Sequence, residues 1–260
     1  MARAYSGREW SAIVGIADND AGSSAGAVGA ATQDANAVSG SKFLMRADTV
    51  NLFDYSAGYS RAEVARAGSR TLRAEDIINH YGSGVFTWDF DWLVDNEKGI
   101  QNLVELMYPS HGGTITTSMT YPAAPTVNDL SHAETAETVS KLAFIILQNP
   151  LTSRDHYMHS ANLQELTLSM SATADGGLLR AQGQFMSGYK PIQEANTVSA
   201  DTSDSDYAKG LFDCTTSTFG GDAAIIRDFS ITISNPATRV GWQGTSGETD
   251  GYIRGGALSI

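Results

Sequence analysis

One cysteine, Cys214, is all the sequence carries, so no disulfide can form within the chain and one subunit cannot assemble a thiolate metal cage. Basic side chains are scarce: 17 Lys and Arg stand against 29 Asp and Glu, a formal net charge of −12. Binding to DNA or RNA depends on Lys and Arg displacing counterions from phosphates, so a surface of this sign repels nucleic acid. Long hydrophobic runs are missing as well. The run "LAFII" at 142–146 falls far short of the roughly 20 apolar residues of a membrane-spanning helix. The opening "MARAYSGREWSAIVG" lacks the apolar core and cleavage pattern of a secretory signal, and a soluble protein made without export through the general pathway is expected. What is present is 42% hydrophobic residues over 260 positions, enough for one medium domain with a substantial core.

The organisation reads as a single domain over 1–260. Residues 21–41, "AGSSAGAVGAATQDANAVSGS", are small and polar without a hydrophobic period, which marks a flexible Gly/Ala/Ser-rich loop, or an arm that orders against a neighbouring subunit. Residues 61–73, "RAEVARAGSRTLR", are locally basic in an acidic protein, with Arg61, Arg66, Arg70 and Arg73 against Glu63. A solvated face accounts for such a cluster, and so does contact with an acidic face of a second copy.

The stretch "GVFTWDFDW" at 84–92 sets Phe86, Trp88, Phe90 and Trp92 in strict alternation with Val85, Thr87, Asp89 and Asp91. Period-2 alternation with aromatic enrichment predicts a strand with one aromatic and one acidic face. In "DNEKGIQNLVELMYP" the spacing of Ile100, Leu103, Val104 and Met107 predicts a short amphipathic helix, capped by Asp95 or Asn96, in which Gly99 costs about 1 kcal/mol against Ala. A second helix is expected over 131–149: Ser131 and Glu134 have capping-box spacing, Val139, Leu142, Ala143 and Ile146 form a stripe, and Asn149-Pro150 ends it. An edge strand is expected in "TITTSMTY" at 114–121.

The remainder reads as sheet. Leu166, Leu168 and Met170 alternate with Glu165, Thr167 and Ser169, and Gly176-Gly177 turns the chain into "LLRAQGQF", where Arg180, Gln182 and Gln184 point away from Leu179, Ala181 and Phe185. In "DFSITIS", Phe229, Ile231 and Ile233 alternate with Asp228, Ser230, Thr232 and Ser234. The expected fold is mainly β: an antiparallel sandwich or barrel with one or two helices packed outside.

Candidate chemistry is sparse. Asp89 and Asp91 lie about 6.5–7 Å apart along a strand, within the broad range of glycoside-cleaving carboxylate pairs, but the rings that would stack on a sugar lie on the opposite face. An aromatic core stripe with a solvated acidic face accounts for both. His156 and His159 in "RDHYMHS" have a spacing that shares a helix face and so a metal, but the surroundings read as loop, no third ligand is evident, and surface histidines are expected. "DTSDSD", with Asp201, Asp204 and Asp206, lacks the Gly and closing Glu of an EF-hand loop. "YGSGV" and "TSGE" lack the strand-turn-helix setting of a nucleophile elbow, and no glycine run forms a phosphate cradle. The expectation is no enzyme, no metal and no cofactor.

Two blocks, "GSRTLRAEDIINHYGSGVFTWDFDWLVDNEKG" at 68–99 and "DFSITISNPATRVGWQGTSGETDGYIRGG" at 228–256, resemble major tail tube proteins of tailed bacteriophages; "ELTLSMSATADGGLLRAQGQF" is similar to the paired central strands of that family. The likeness includes the strand Phe229 to Asn235 and the Gly251 to Gly255 element; Pro236 stands where a second Asn is common. The resemblance implies a virion protein, assembled in the host cytoplasm. Its copies form sixfold rings, one sheet of each joining a continuous barrel around a channel, with the helix outside. Stacked rings carry double-stranded DNA without binding it specifically. Partners would be other copies and further tail proteins such as the tape measure, the tail terminator and the baseplate or tip, with no membrane partner. On that reading Asp89, Asp91, Glu165 and Asp228 include lumen-facing residues, and Arg61, Arg66, Arg70 and Arg73 are subunit contacts. The alternatives are a carbohydrate-binding or adhesin-like sandwich with Trp88, Trp92 and Trp242 as sugar platforms, or a capsid decoration protein.

Overall fold

The computed structural model describes residues 10–18, 41–45, 50–54, 59–63, 77–81, 85–107, 141–149, 154–188, 191–195, 210, 218–219, 222–223, 225–234, 236–243 and 249–254. Among these the elements are β1 (Ser11–Asp18), β2 (Phe43–Met45), β3 (Tyr59–Glu63), β4 (Ile77–Tyr81), β5 (Phe86–Leu93), α1 (Glu97–Met107), β6 (Lys141–Gln148), β7 (Arg154–Ser171), β8 (Arg180–Ser187), β9 (Ile192–Ala195), β10 (Thr218–Phe219), β11 (Asp222–Ala223), β12 (Asp228–Ser234), β13 (Ala237–Gln243) and β14 (Thr249–Arg254). Eight strands form one antiparallel sheet in the order β2-β1-β6-β7-β8-β5, with β9 and β12 also paired to β7, and this sheet curls into a half-barrel. The remaining strands pair two by two: β3 with β4, β10 with β11, and β13 with β14. The expectation of a mainly β, antiparallel protein holds.

β5 follows its sequence period. Phe86, Trp88, Phe90 and Trp92 are buried, while Thr87, Asp89 and Asp91 are exposed. The four rings join Phe185, Leu163, Leu166 and Ala181 with the apolar side of α1 (Ile100, Leu103, Leu106, Met107) in the main core. Asn96 is the cap: its Oδ1 accepts the Gly99 N–H at 3.2 Å, while Asp95 instead receives the Trp92 indole N–H at 3.3 Å. Gly99 is there for contact. A Cβ at this position would run into the Trp92 and Phe43 rings, so the helix approaches β5 as closely as it does because the side chain is missing.

Over its described part, the helix expected over 131–149 does not form. Lys141–Gln148 is strand β6, and residues 131–140, with Ser131, Glu134 and Val139, lie outside the described residues. The physical reason is burial on both faces. Ala143, Ile145 and Leu147 enter the main core, while Phe144 and Ile146 pack with Ile13 and Tyr157 on the other side. A strand covered on both sides has a continuous apolar run, which also satisfies a helical stripe, and the β-branched Ile145-Ile146 pair favours the strand.

The segment "RDHYMHS", expected to be a loop, is the first half of β7, an 18-residue strand. Its alternation is hidden by two irregularities. Pairing to β6 slips between Ala143 and Ile145, opposite Ser160, whose φ is +50°, and pairing to β8 slips between Leu163 and Glu165. Each bulge changes which parity faces the core, so polar Asn162, Ser160 and His159 are buried in sequence with Met158, Ala161 and Leu163. Along one edge of β7 lie β6 and then β12; along the other lie β9 and then β8.

Of residues 21–41, Ser41 alone is described, and it is fully buried. Its hydroxyl accepts the Ile16 N–H at 3.1 Å and donates to the Ile16 carbonyl at 3.2 Å, while Asn102 of α1 donates to the Ser41 carbonyl at 2.8 Å. This buried serine ties the entry of β2 to β1 and to the helix.

Candidate functional site

The sheet segment β12-β7-β8-β5 presents one polar face. Cross-strand register sets its rows: Asp89 opposite Gln184, opposite Glu165, opposite Ser234; and Asp91 opposite Gln182, opposite Thr167, opposite Thr232. Asp228 lies opposite Ser171 on the same parity. Asp89, Asp91, Glu165 and Asp228, drawn from three strands, therefore stand on one side of one sheet, and all four are exposed. The opposite side of β5, β8 and β7 is the sealed aromatic and aliphatic core.

Side chains on this face are held to one another across the strands. Gln184 Nε2 donates to Asp89 Oδ1 at 2.7 Å and Gln182 Nε2 to Asp91 Oδ2 at 3.0 Å. The Thr167 and Thr232 hydroxyls share a bond of 2.9 Å, and the Ser171 hydroxyl donates to Asp228 Oδ1 at 2.6 Å. Arg180 joins Asp91, through Nε at 2.9 Å, to Asp175 in the turn after β7. Its hydrogen bonds to Asp175 and Asp91 raise the guanidinium pKa further above its ordinary value. Asp91 is thus partly neutralised in place. Asp89 and Glu165 line a shallow depression of about 690 Å³ together with Thr167, Gln182, Gln184 and Ser234.

Asp89 and Asp91 do not converge on a shared point. Each turns toward its own glutamine on β8, and the face between them is open. Trp88 and Trp92, offered as sugar platforms, are core residues at 3% and 0% exposure, and the side chain of Trp242 lies outside the described residues. Among the described residues no three His, Cys, Asp or Glu side chains cluster as a metal set, and no helix is long and apolar enough to cross a membrane. Cys214, the "DTSDSD" segment, the 114–121 strand, Arg66, Arg70 and Arg73 lie outside the described residues; Arg61 is on β3, opposite Asn79, without a described side chain.

The two histidines are not a surface pair. His156 is half-buried, edge-on to Trp10 at 5.0 Å and in contact with Gln193, and burial lowers its pKa against the opposing pull of Asp155. His159 is 2% exposed, stacked on Tyr157 at 5.9 Å, and its carbonyl accepts the Ser187 hydroxyl at 2.7 Å. Burial pushes its pKa down to about 4 from 6.5. The unfolded chain takes up this proton first, so the contribution to stability is full above pH 6.5 and is lost as pH falls toward 4. The loss is expected to reach about 2–3 kcal/mol by pH 4.5. Unfolding free energies from urea titrations at pH 7 and 4.5 should differ by that much less in His159→Leu than in the parent chain; an equal acid loss in both would assign the effect to other groups.

Gln182, Gln184 and Arg180 were legible as outward-pointing, but their pairing with Asp91 and Asp89 depends on register, which the sequence does not state. Gln164 was not legible at all. It sits in the second bulge, where its Oε1 accepts the Ala237 N–H at 2.9 Å and its Nε2 donates to Asn162, fixing the start of β13 against the sheet. No protein-family model matches the chain, and no curated protein matches it.

Proposed function

We propose that this chain is the wall unit of a hollow tube of the phage tail type, its β12-β7-β8-β5 face turned to the lumen. The observation that carries the reading is the division of the β12-β7-β8-β5 segment of the sheet into an open acid-and-amide face and an aromatic and aliphatic face that is sealed at β5, β8 and β7. A wall needs that division: one side wetted by the channel, the other bonded into the protein body. In a sixfold ring, 6 × 4 = 24 strands give at least about 115 Å of circumference and about 37 Å of backbone diameter before tilt widens it, room for a DNA duplex. The ring carries 6 × (−12) = −72 formal charges. Carboxylates facing the channel repel phosphates over roughly 8 Å at physiological salt, so DNA slides without adhering. Asp89, Asp91 and Asp228 are each tethered by a neighbouring side chain, which keeps these carboxylates close to the wall.

Imaging of the purified chain at rising concentration by negative-stain microscopy tests the reading. Hollow rods or six-lobed rings are expected. Compact monomers throughout would refute it.

A further inference from the structure

The backbone groups along the two lateral edges of this sheet match. The Val94 N–H bonds to the Leu179 carbonyl, so Trp92, Phe90, Trp88 and Phe86 exchange the ladder bonds with β8, and the N–H and C=O groups of Thr87, Asp89, Asp91 and Leu93 point outward. At the other edge the Ala172 N–H bonds to the Arg227 carbonyl, so Phe229, Ile231 and Ile233 face β7 and the groups of Asp228, Ser230, Thr232 and Ser234 point outward. Both outward sets carry their side chains on the polar face. β12 runs antiparallel to β7, β7 to β8 and β8 to β5, so β12 laid beside β5 of another copy is antiparallel again. Pairing the two edges therefore continues the sheet with its polar face unbroken.

Apolar exposure falls at the same two edges. Among the described residues the large exposed apolar side chains are Ile225 (101%), Ile226 (41%), Phe229 (37%) and Ile231 (36%) on or beside β12, and Leu52 (52%) beside β5. Phe229 and Ile231 point to the aromatic side of the sheet, where Ile233 is already sealed into the core. Residues 50–53 run along the edge of β5 on that same side: the Asn51 carbonyl accepts the Trp88 indole N–H at 2.8 Å, and Val50 and Phe53 are buried in the core. Leu52 is left outside. One outward carbonyl of β5 is occupied, because the Asn51 Nδ2 donates to the Asp89 oxygen at 3.2 Å, standing where the N–H of an adjoining strand would stand.

We propose that the joint between copies is β12 of one chain paired antiparallel with β5 of the next, closed on the aromatic side by Phe229 and Ile231 against Leu52, with the Asn51 amide displaced by the incoming strand. The inference rests on the tube reading, and adds to it which edges meet and in which direction. The joint is head-to-tail, so it propagates around a ring and does not stop at a pair.

The test uses two full-length variants, Phe229→Asp/Ile231→Asp, which spoils the β12 side, and Leu52→Asp, which spoils the β5 side. All three positions are exposed, so both chains should fold. Each variant alone is expected to lose assembly at concentrations where the parent chain assembles. Mixed, they are expected to form a one-to-one dimer by sedimentation, since one good edge of each kind remains, and to grow no further. Rods or rings from either variant alone would overturn the joint while leaving the tube reading standing. A dimer of Leu52→Asp alone would mean that β12 pairs with itself, and a mixture that stays monomeric would likewise overturn the proposal. A parent chain that never assembles would overturn both readings.

Discussion

Trp92→Ala is expected to destabilise the fold by about 3–5 kcal/mol, a large part of the roughly 5–15 kcal/mol by which a domain is stable at all. The ring is fully buried, 5.3 Å from Phe43, and fits against the helix where Gly99 has no side chain. It is the piece common to β5, β2 and α1. Alanine would leave a cavity among parts that cannot close over it, because the helix is also held by the Asn96 cap and by Asn102 on Ser41. The indole bond to Asp95 would be lost as well. Urea midpoints measure the effect. Trp92→Phe should recover much of the loss by keeping a ring against Phe43, whereas a midpoint unchanged in Trp92→Ala would mean that this junction does not hold the sheet to the helix.

On the proposed tube function, the second large effect is expected on passage of DNA. Asp89→Lys with Glu165→Lys changes each chain by +4, from −12 to −8, and a sixfold ring from −72 to 6 × (−8) = −48. It also puts 6 × 2 = 12 amines around each turn of the proposed lumen. Both positions are exposed and away from the Arg180 pair, so stability should change by no more than about 1 kcal/mol and assembly should persist. Ejection from particles rebuilt with the variant should then slow sharply at about 50 mM salt and recover toward about 200 mM, because each phosphate contact releases counterions and weakens steeply with salt. Equal rates for parent and variant at both salts would remove the lubricating role of the acidic face.

Where one strand face is buried and the other wet, as in β5 and in β7 from Glu165 onward, the sequence period reported the structure directly. It misled where both faces are covered. In β6 a run of six buried residues matched a helical stripe as well as a strand, and only tertiary contact with Ile13 and Tyr157 decided between them. The first half of β7 was unreadable because two bulges break its parity, and a bulge depends on what the partner strand does. β12 is an intermediate case. Its alternation was legible, yet Phe229 and Ile231 are not buried in the single chain, because hydrophobicity marks a face for covering without saying by what. The acidic members of the candidate site were legible one strand at a time. Their assembly into rows with Gln182, Gln184, Thr167 and Thr232 was not, since register is a property of the folded sheet.

The orientation of that sheet in an assembled particle is the point on which the rest turns. A helical reconstruction of rods grown from the parent chain should place Asp89, Glu165, Gln182 and Thr232 on the channel surface, with α1 at larger radius behind the aromatic layer. Density that turns this face outward, or that lines the channel with other elements, would contradict it.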